Sequence, residues 1–128
     1  MKRLRHVIVG IVTVGAVALL CSVPQAQTYF VAVRGRLAAR SDVSHGRYIV
    51  MVYGYGTPRR YEYALILQEE HGIELREVAG CIVPRTVSSY ADAYDEVSVP
   101  AAKRLFGPNV FEESYQKIPE RPSPTPAL

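Results

Sequence analysis

Residues 48–83, YIVMVYGYGTPRRYEYALILQEEHGIELREVAGCIV, read as a strand, a helix and a second strand in succession. Tyr48 to Tyr53 are six apolar residues in a row, the pattern of a strand covered on both faces, where neither side needs polar positions. Gly54-Tyr55-Gly56 interrupts the run. Thr57 is then placed to cap a helix and Pro58 to occupy its first position, where a missing N–H costs nothing. The spacing predicts a helix over 58–71 that ends at Gly72 in a left-handed cap. Tyr63, Ile66 and Leu67 form its apolar face, widened by Ala64 and Leu65, with Glu62, Glu69 and Glu70 towards water. Ile73-Glu74-Leu75-Arg76 alternates as a half-buried strand does. Extended character continues from Val78 to Val83 through a bulge expected at Gly80, until Pro84 closes it. The order predicts a βαβ unit with two parallel strands.

Working outward, TYFVAVRGRLAAR (28–40) opens with β-branched and aromatic residues, which predicts a strand that weakens towards Arg40, a short helix being the alternative. SDVSHG (41–46) is turn chemistry. From Thr86 the pattern is helical, with Tyr90, Tyr94, Val97, Ala101 and Leu105 on one face and Ser89 with Asp92 resembling a capping box. Pro100 interrupts it, which predicts a kink or two helices meeting near Ser98. Gly107-Pro108 stops the run, and Asn109 is placed to cap a last short helix carrying Phe111 and Tyr115 at i, i+4. The expected fold is α/β, or α+β, with a small sheet of about three strands in β-β-α-β-α-α order and helices packed on it.

Both ends lie outside this pattern. Lys2, Arg3 and Arg5 precede an uncharged apolar run from Val7 to Leu20 and a short polar stretch, the plan of a secretory signal. Extended through Val23, the run is also readable as an uncleaved anchor with its positive end in the cytoplasm. Cys21 invites a lipoprotein reading, although Leu20 is bulky for the position before a lipidated cysteine. Residues 1–26 are therefore expected to be a signal peptide or N-terminal anchor, 27–118 a single globular domain, and PERPSPTPAL (119–128) a disordered Pro-rich tail. Every one of these readings exports the domain, to the periplasm, to the medium or to the outer side of a bacterial-type inner membrane.

The 128 residues carry 15 Lys and Arg against 12 Asp and Glu, a net charge of +3. Three of those positive charges belong to residues 1–26, so the remainder is neutral and nucleic acid is not an expected partner. The charge is polarised along the chain: residues 27–60 are rich in Arg (Arg34, Arg36, Arg40, Arg47, Arg59, Arg60), and residues 61–118 carry most of the acids. Either the halves face one another in the fold or they leave charge for a partner.

Few catalytic constellations are present. The Gly54-x-Gly56 pair follows a strand and opens a helix as a dinucleotide fingerprint does, but the third glycine position is Arg59, whose bulk prevents close helix packing, so no cofactor is expected. His6, His45 and His71 have no metal-ligand spacing, and no metal site is expected. Paired acids such as Asp95-Glu96 and Glu112-Glu113 sit on predicted helix surfaces as solvated charge. Cys81 is read first as a small core residue on an apolar stretch, with a reactive thiol as the functional alternative. Tyr55, Gly56, Thr57, Arg59 and Arg60 combine aromatic and guanidinium groups at one helix start, which suits a protein-binding surface, or an anion site built from the helix N-terminus. The expectation leans away from catalysis, towards a small envelope protein that binds another envelope protein, with a Cys81-dependent enzyme and an anion binder as alternatives.

Overall fold

A computed structural model of the protein describes residues 24–119. The expected signal or anchor and the Pro-rich tail lie outside the described residues, apart from residues 24–26 and Pro119. Six elements follow in the order α1 (Pro24–Ser44), β1 (Tyr48–Tyr53), α2 (Pro58–His71), β2 (Ile73–Ala79), α3 (Arg85–Phe106) and α4 (Val110–Gln116). The class is α/β, with four helices around a two-stranded parallel sheet, rather than three strands, among the described residues.

The βαβ unit forms as its sequence dictates. Thr57 has extended backbone and its Oγ1 accepts from the Arg60 N–H, Pro58 takes the first helical position, and Gly72 closes α2 with φ of 67°. β1 and β2 pair in parallel from Tyr48↔Ile73 to Tyr53↔Ala79. Their single irregularity lies at Val78, the extra residue between Val52↔Glu77 and Tyr53↔Ala79, rather than at Gly80. The Gly54 N–H donates to the Ala79 carbonyl at 2.8 Å and ends the ladder, so beyond Ala79 the chain has no strand to pair with and bends away.

β1 is covered on both faces, as its unbroken apolar run requires. Ile49 and Met51 pack with Ala39, Ala91 and Tyr94 from α1 and α3. Tyr48 and Val50 face the other way, onto Leu67 and Ile73, beside Ala102 and Val110. α3 contributes to both cores, so its inward stripe moves from Ala91, Tyr94 and Ser98 to Ala102 and Phe106, leaving Leu105 outside. α3 also runs through Pro100 without division into two helices. The buried Ser98, Ala101 and Ala102 around Pro100 provide packing that offsets the lost hydrogen bond. Its start differs from expectation as well: α3 begins at Arg85 after Pro84, four residues before the supposed cap, and Ser89 lies within it. The Asn109 side chain makes no capping bond to α4.

Residues 28–40 are helical, part of α1, although their aromatic and β-branched residues favour a strand in isolation. The reason is tertiary. Gly35, Ala38 and Ala39 recur at helical spacing and form a small-residue face on which α3 lies. At Gly35 the helices are so close that a Cβ would stand 2.4 Å from the Tyr90 carbonyl oxygen, which is main chain and has no rotamer to give. Tyr94 then reaches across to donate its hydroxyl to Asp42 at 2.7 Å, and Asp42 also pairs with Arg47.

Gly35→Ala therefore separates two opposed effects. Helix propensity favours Ala by about 1 kcal/mol, whereas overpacking costs about 1–3 kcal/mol and more where backbone must move. We expect net destabilisation, read as a lower urea midpoint at unchanged m-value, while Gly46→Ala, which meets no atom within 4 Å, shows only the strain of its positive φ.

Candidate functional site

The helix start after Gly56 faces α4, and between them lies an open cavity of about 490 Å³. Thr57, Arg59, Arg60 and Tyr63 line it from the α2 side, and Phe111, Glu112 and Tyr115 from the α4 side. The Tyr63 hydroxyl donates to the Phe111 carbonyl at 3.1 Å, and the Tyr63 and Tyr115 rings meet edge to face at 5.6 Å. Above Tyr115 stands the Arg59 guanidinium, 4.8 Å from the ring centroid, in cation–π contact. Burial, with the Glu112 carboxylate as a smaller cause, holds the Tyr63 phenol above its usual range, so it stays a neutral donor at physiological pH.

The two arginines singled out in the sequence thus have different duties. Arg60 turns back on the loop and donates from Nη1 to the Gly54 carbonyl at 2.9 Å and to that of Tyr55 at 3.4 Å. It fixes the loop, and Gly54 at φ of 82° supplies the reversal that brings those carbonyls round. Arg59 presents its guanidinium at the cavity. With Pro58 lacking an N–H and the Arg60 N–H taken by Thr57, the helix start offers an anion little beyond Arg59.

Tyr55 and Gly56 stand apart from this cavity. Tyr55 projects from the loop, 72% exposed, with its ring lying over Gly80. Gly56 lines a smaller recess with Val52, Arg60, Tyr61 and Leu75 on the opposite flank of α2. Sequence reasoning missed the α4 contribution. The i, i+4 spacing makes Phe111 and Tyr115 neighbours on their own helix, but nothing in that spacing shows that Tyr115 meets Tyr63 and Arg59, 52 and 56 positions away.

Cys81 is exposed, in the bend after β2, and beside it Ile82 is 88% exposed. The expectation of a buried core thiol is corrected, because among the described residues that apolar stretch has no strand partner to cover it.

A further correction concerns Asp95, expected to be solvated. β2 occupies one edge of β1, and α3 serves the other with side chains. The Met51 N–H donates to Asp95 Oδ1 at 3.0 Å, Ser98 Oγ donates to the Ile49 carbonyl at 2.5 Å, and the Tyr53 hydroxyl donates to Asp92 Oδ1 at 2.8 Å. Burial drives the Asp95 carboxyl up to about 6, against the lowering effect of the Met51 N–H, and Asp92 adds repulsion. Tyr53 is pushed up to about 12, by burial first and then by its bond to Asp92. Asp42 moves the other way, held below the usual carboxylate range by the Tyr94 hydroxyl and, against some burial, by Arg47.

Among the described residues no three of His, Cys, Asp and Glu converge as a metal would require, and no helix is long and apolar enough to cross a membrane. The basic and acidic halves meet in part: Arg36 of α1 pairs with Glu96 of α3 at 2.8 Å. No protein-family model, curated protein or solved structure matches the chain.

Two outcomes follow from this geometry. Asp95 binds a proton more tightly folded than unfolded, so between about pH 4 and pH 6 the native state holds more protons and stability falls as pH rises. Asp42, with its lowered carboxyl, has the opposite sign, and its contribution is lost only as pH falls below its ordinary value of 3.8. Asp95→Asn keeps an acceptor for Met51 and removes the charge. It should raise stability at pH 7.5 by about 1–2 kcal/mol, a figure reduced for solvent screening, and flatten the pH 4–6.5 slope of the denaturation midpoint. Separately, in a Cys21→Ser background, folded protein should react with a thiol reagent at a rate within about tenfold of the denatured chain, whereas a buried thiol would be protected by orders of magnitude.

Proposed function

We propose that the protein is a small exported binding protein of a bacterial-type envelope, which engages another envelope protein through the α2–α4 face and does not act by catalysis. The observation that carries this reading is the stack of Arg59 on Tyr115, at the mouth of a cavity floored by Tyr63 and Phe111. Arginine and tyrosine anchored in this way are what protein interfaces use as hot spots. They bury much area while losing little side-chain freedom, and the guanidinium keeps its outer donors for a partner's carbonyl or carboxylate. Glu112 on the cavity wall gives the same surface an acceptor, so a partner with a basic or amide group has a complementary site. Tyr55 extends the surface from the neighbouring loop.

Export rests on the sequence of residues 1–26, with its basic start and apolar run. Arg60, in its bonds to Gly54 and Tyr55, holds the loop for binding and is not itself a contact.

The test is site-specific photo-crosslinking in the native envelope. A benzoylphenylalanine at Tyr115 or Tyr55 should trap one partner of defined mass, and the same probe at Leu105, exposed on α3, should not. Arg59→Ala should reduce the Tyr115 crosslink at least about fivefold, in keeping with the ~1 kcal/mol or more that a hot-spot side chain contributes. Equal products at all three positions, or a crosslink indifferent to Arg59→Ala, would overturn the assignment.

A further inference from the structure

On the other flank of α2, away from the cavity just described, the sheet has an open edge. The Ile49 carbonyl and the Met51 N–H point away from β2, since both bond to α3. Backbone groups alternate between the two edges of a strand, so Val50 is aimed at β2. In the register Val50↔Leu75 it bonds the residues flanking Leu75, which are Glu74 and Arg76. The N–H and C=O groups of Ile73, Leu75 and Glu77 therefore line the outer edge of β2, which meets no further strand among the described residues. Beside that edge runs an apolar groove of about 320 Å³ formed by Tyr61, Ala64, Leu65, Gln68, Glu74 and Leu75. Tyr61 and Leu65, one turn apart on α2, are 63% and 59% exposed over it.

We infer that this edge is the interface for a second copy of the chain: β2 pairs antiparallel with β2 of the other copy about a two-fold axis through Leu75, joining two sheets into one of four strands. The charges on β2 select that register. Outward-facing residues must meet outward-facing residues, which restricts the central registers to three. Pairing Ile73 with Leu75 sets Glu74 against Glu74, and pairing Leu75 with Glu77 sets Arg76 against Arg76. Pairing Leu75 with Leu75 places Glu74 opposite Arg76 twice, once on each side of the axis. Those two positions form the pairs without direct backbone bonds, where Cα atoms approach to about 4.5 Å and side chains are closest.

Within one copy Glu74 and Arg76 are already aligned, with Arg76 donating from Nε at 2.8 Å and from Nη2 at 3.0 Å to the two Glu74 oxygens. The dimer extends this into an alternating ring of four charges. On the opposite side of the sheet Leu75 meets Leu75, and Tyr61 and Leu65 of each α2 close over the seam. The same arrangement removes a bare edge that would otherwise template unspecific pairing.

Sedimentation velocity on the full chain in mild nonionic detergent, over a series reaching about 100 µM, tests this, since an interface of even modest affinity is populated there. The native protein should dimerise reversibly. Glu74→Arg and Arg76→Glu should each weaken the dimer at least about tenfold, because each turns both symmetry-related pairs into like charges. The double exchange should restore affinity to within about threefold of native, which no unfolding effect would mimic. In a Cys21→Ser, Cys81→Ser background, Leu75→Cys should oxidise to a covalent dimer and Glu69→Cys should not. A monomer throughout the series, a dimer indifferent to the single exchanges, or no recovery in the double exchange overturns the proposal.

Discussion

A strand can lie at the centre of a domain only if both its edges are satisfied, and a sheet of two strands leaves each of them one edge short. Here β1 is completed by a helix. Asp95 and Ser98 of α3 accept from Met51 and donate to Ile49 at the positions where a third strand would pair, and Asp92 receives the Tyr53 hydroxyl beside them. Spacings of three along α3 meet spacings of two along β1, in opposite order, so the helix runs antiparallel to the strand it completes. A buried backbone group left without a partner costs about 1–3 kcal/mol, which makes this row of side chains a condition for burying Ile49 and Met51. No buried side-chain nitrogen or oxygen among the described residues lacks a partner.

Much of the remaining architecture follows from where α3 must lie. Held on the edge of β1, it gives α1 a surface to pack on, which glycine and alanine at the contact let α1 approach closely. At its other end Ala102 and Phe106 close the second core, with Phe106 meeting Tyr48 edge to face at 5.3 Å and His71 at 5.5 Å. The short connection through Gly107 then delivers α4 beside α2, and that adjacency creates the cavity under Arg59 and Tyr115. The proposed binding face is thus a product of helix docking. The open edge of β2 has the same origin, since α3 occupies the edge of β1 and no further strand among the described residues takes the other.

The strand, helix, strand unit was legible in the sequence because its signals are local. An unbroken apolar run, Thr57-Pro58 at a helix start and Gly72 at its end each specify backbone geometry through atoms one turn away. Thr57, Arg59 and Arg60 were legible as neighbours at one helix start on the same ground. Errors fell where the deciding atoms are distant. Aromatic and β-branched residues in 28–40 favour a strand until α3 is present. Asp95 reads as solvated until β1 is placed beside it. Cys81 reads as buried because its neighbours are apolar, although they have no partner.

The sequence by itself determined the two parallel strands, the helix between them, the overall charge neutrality beyond residue 26 and the aromatic and arginine content at the start of α2. Only the tertiary structure decided which arginine holds the loop and which stands over Tyr115, whether Asp95 is wet or dry, and which sheet edge stays open. The division has one cause: caps, turns and runs of apolar residues act through neighbours in the chain, whereas burial and edge pairing depend on residues 40 to 60 positions away, brought near only when the helices dock.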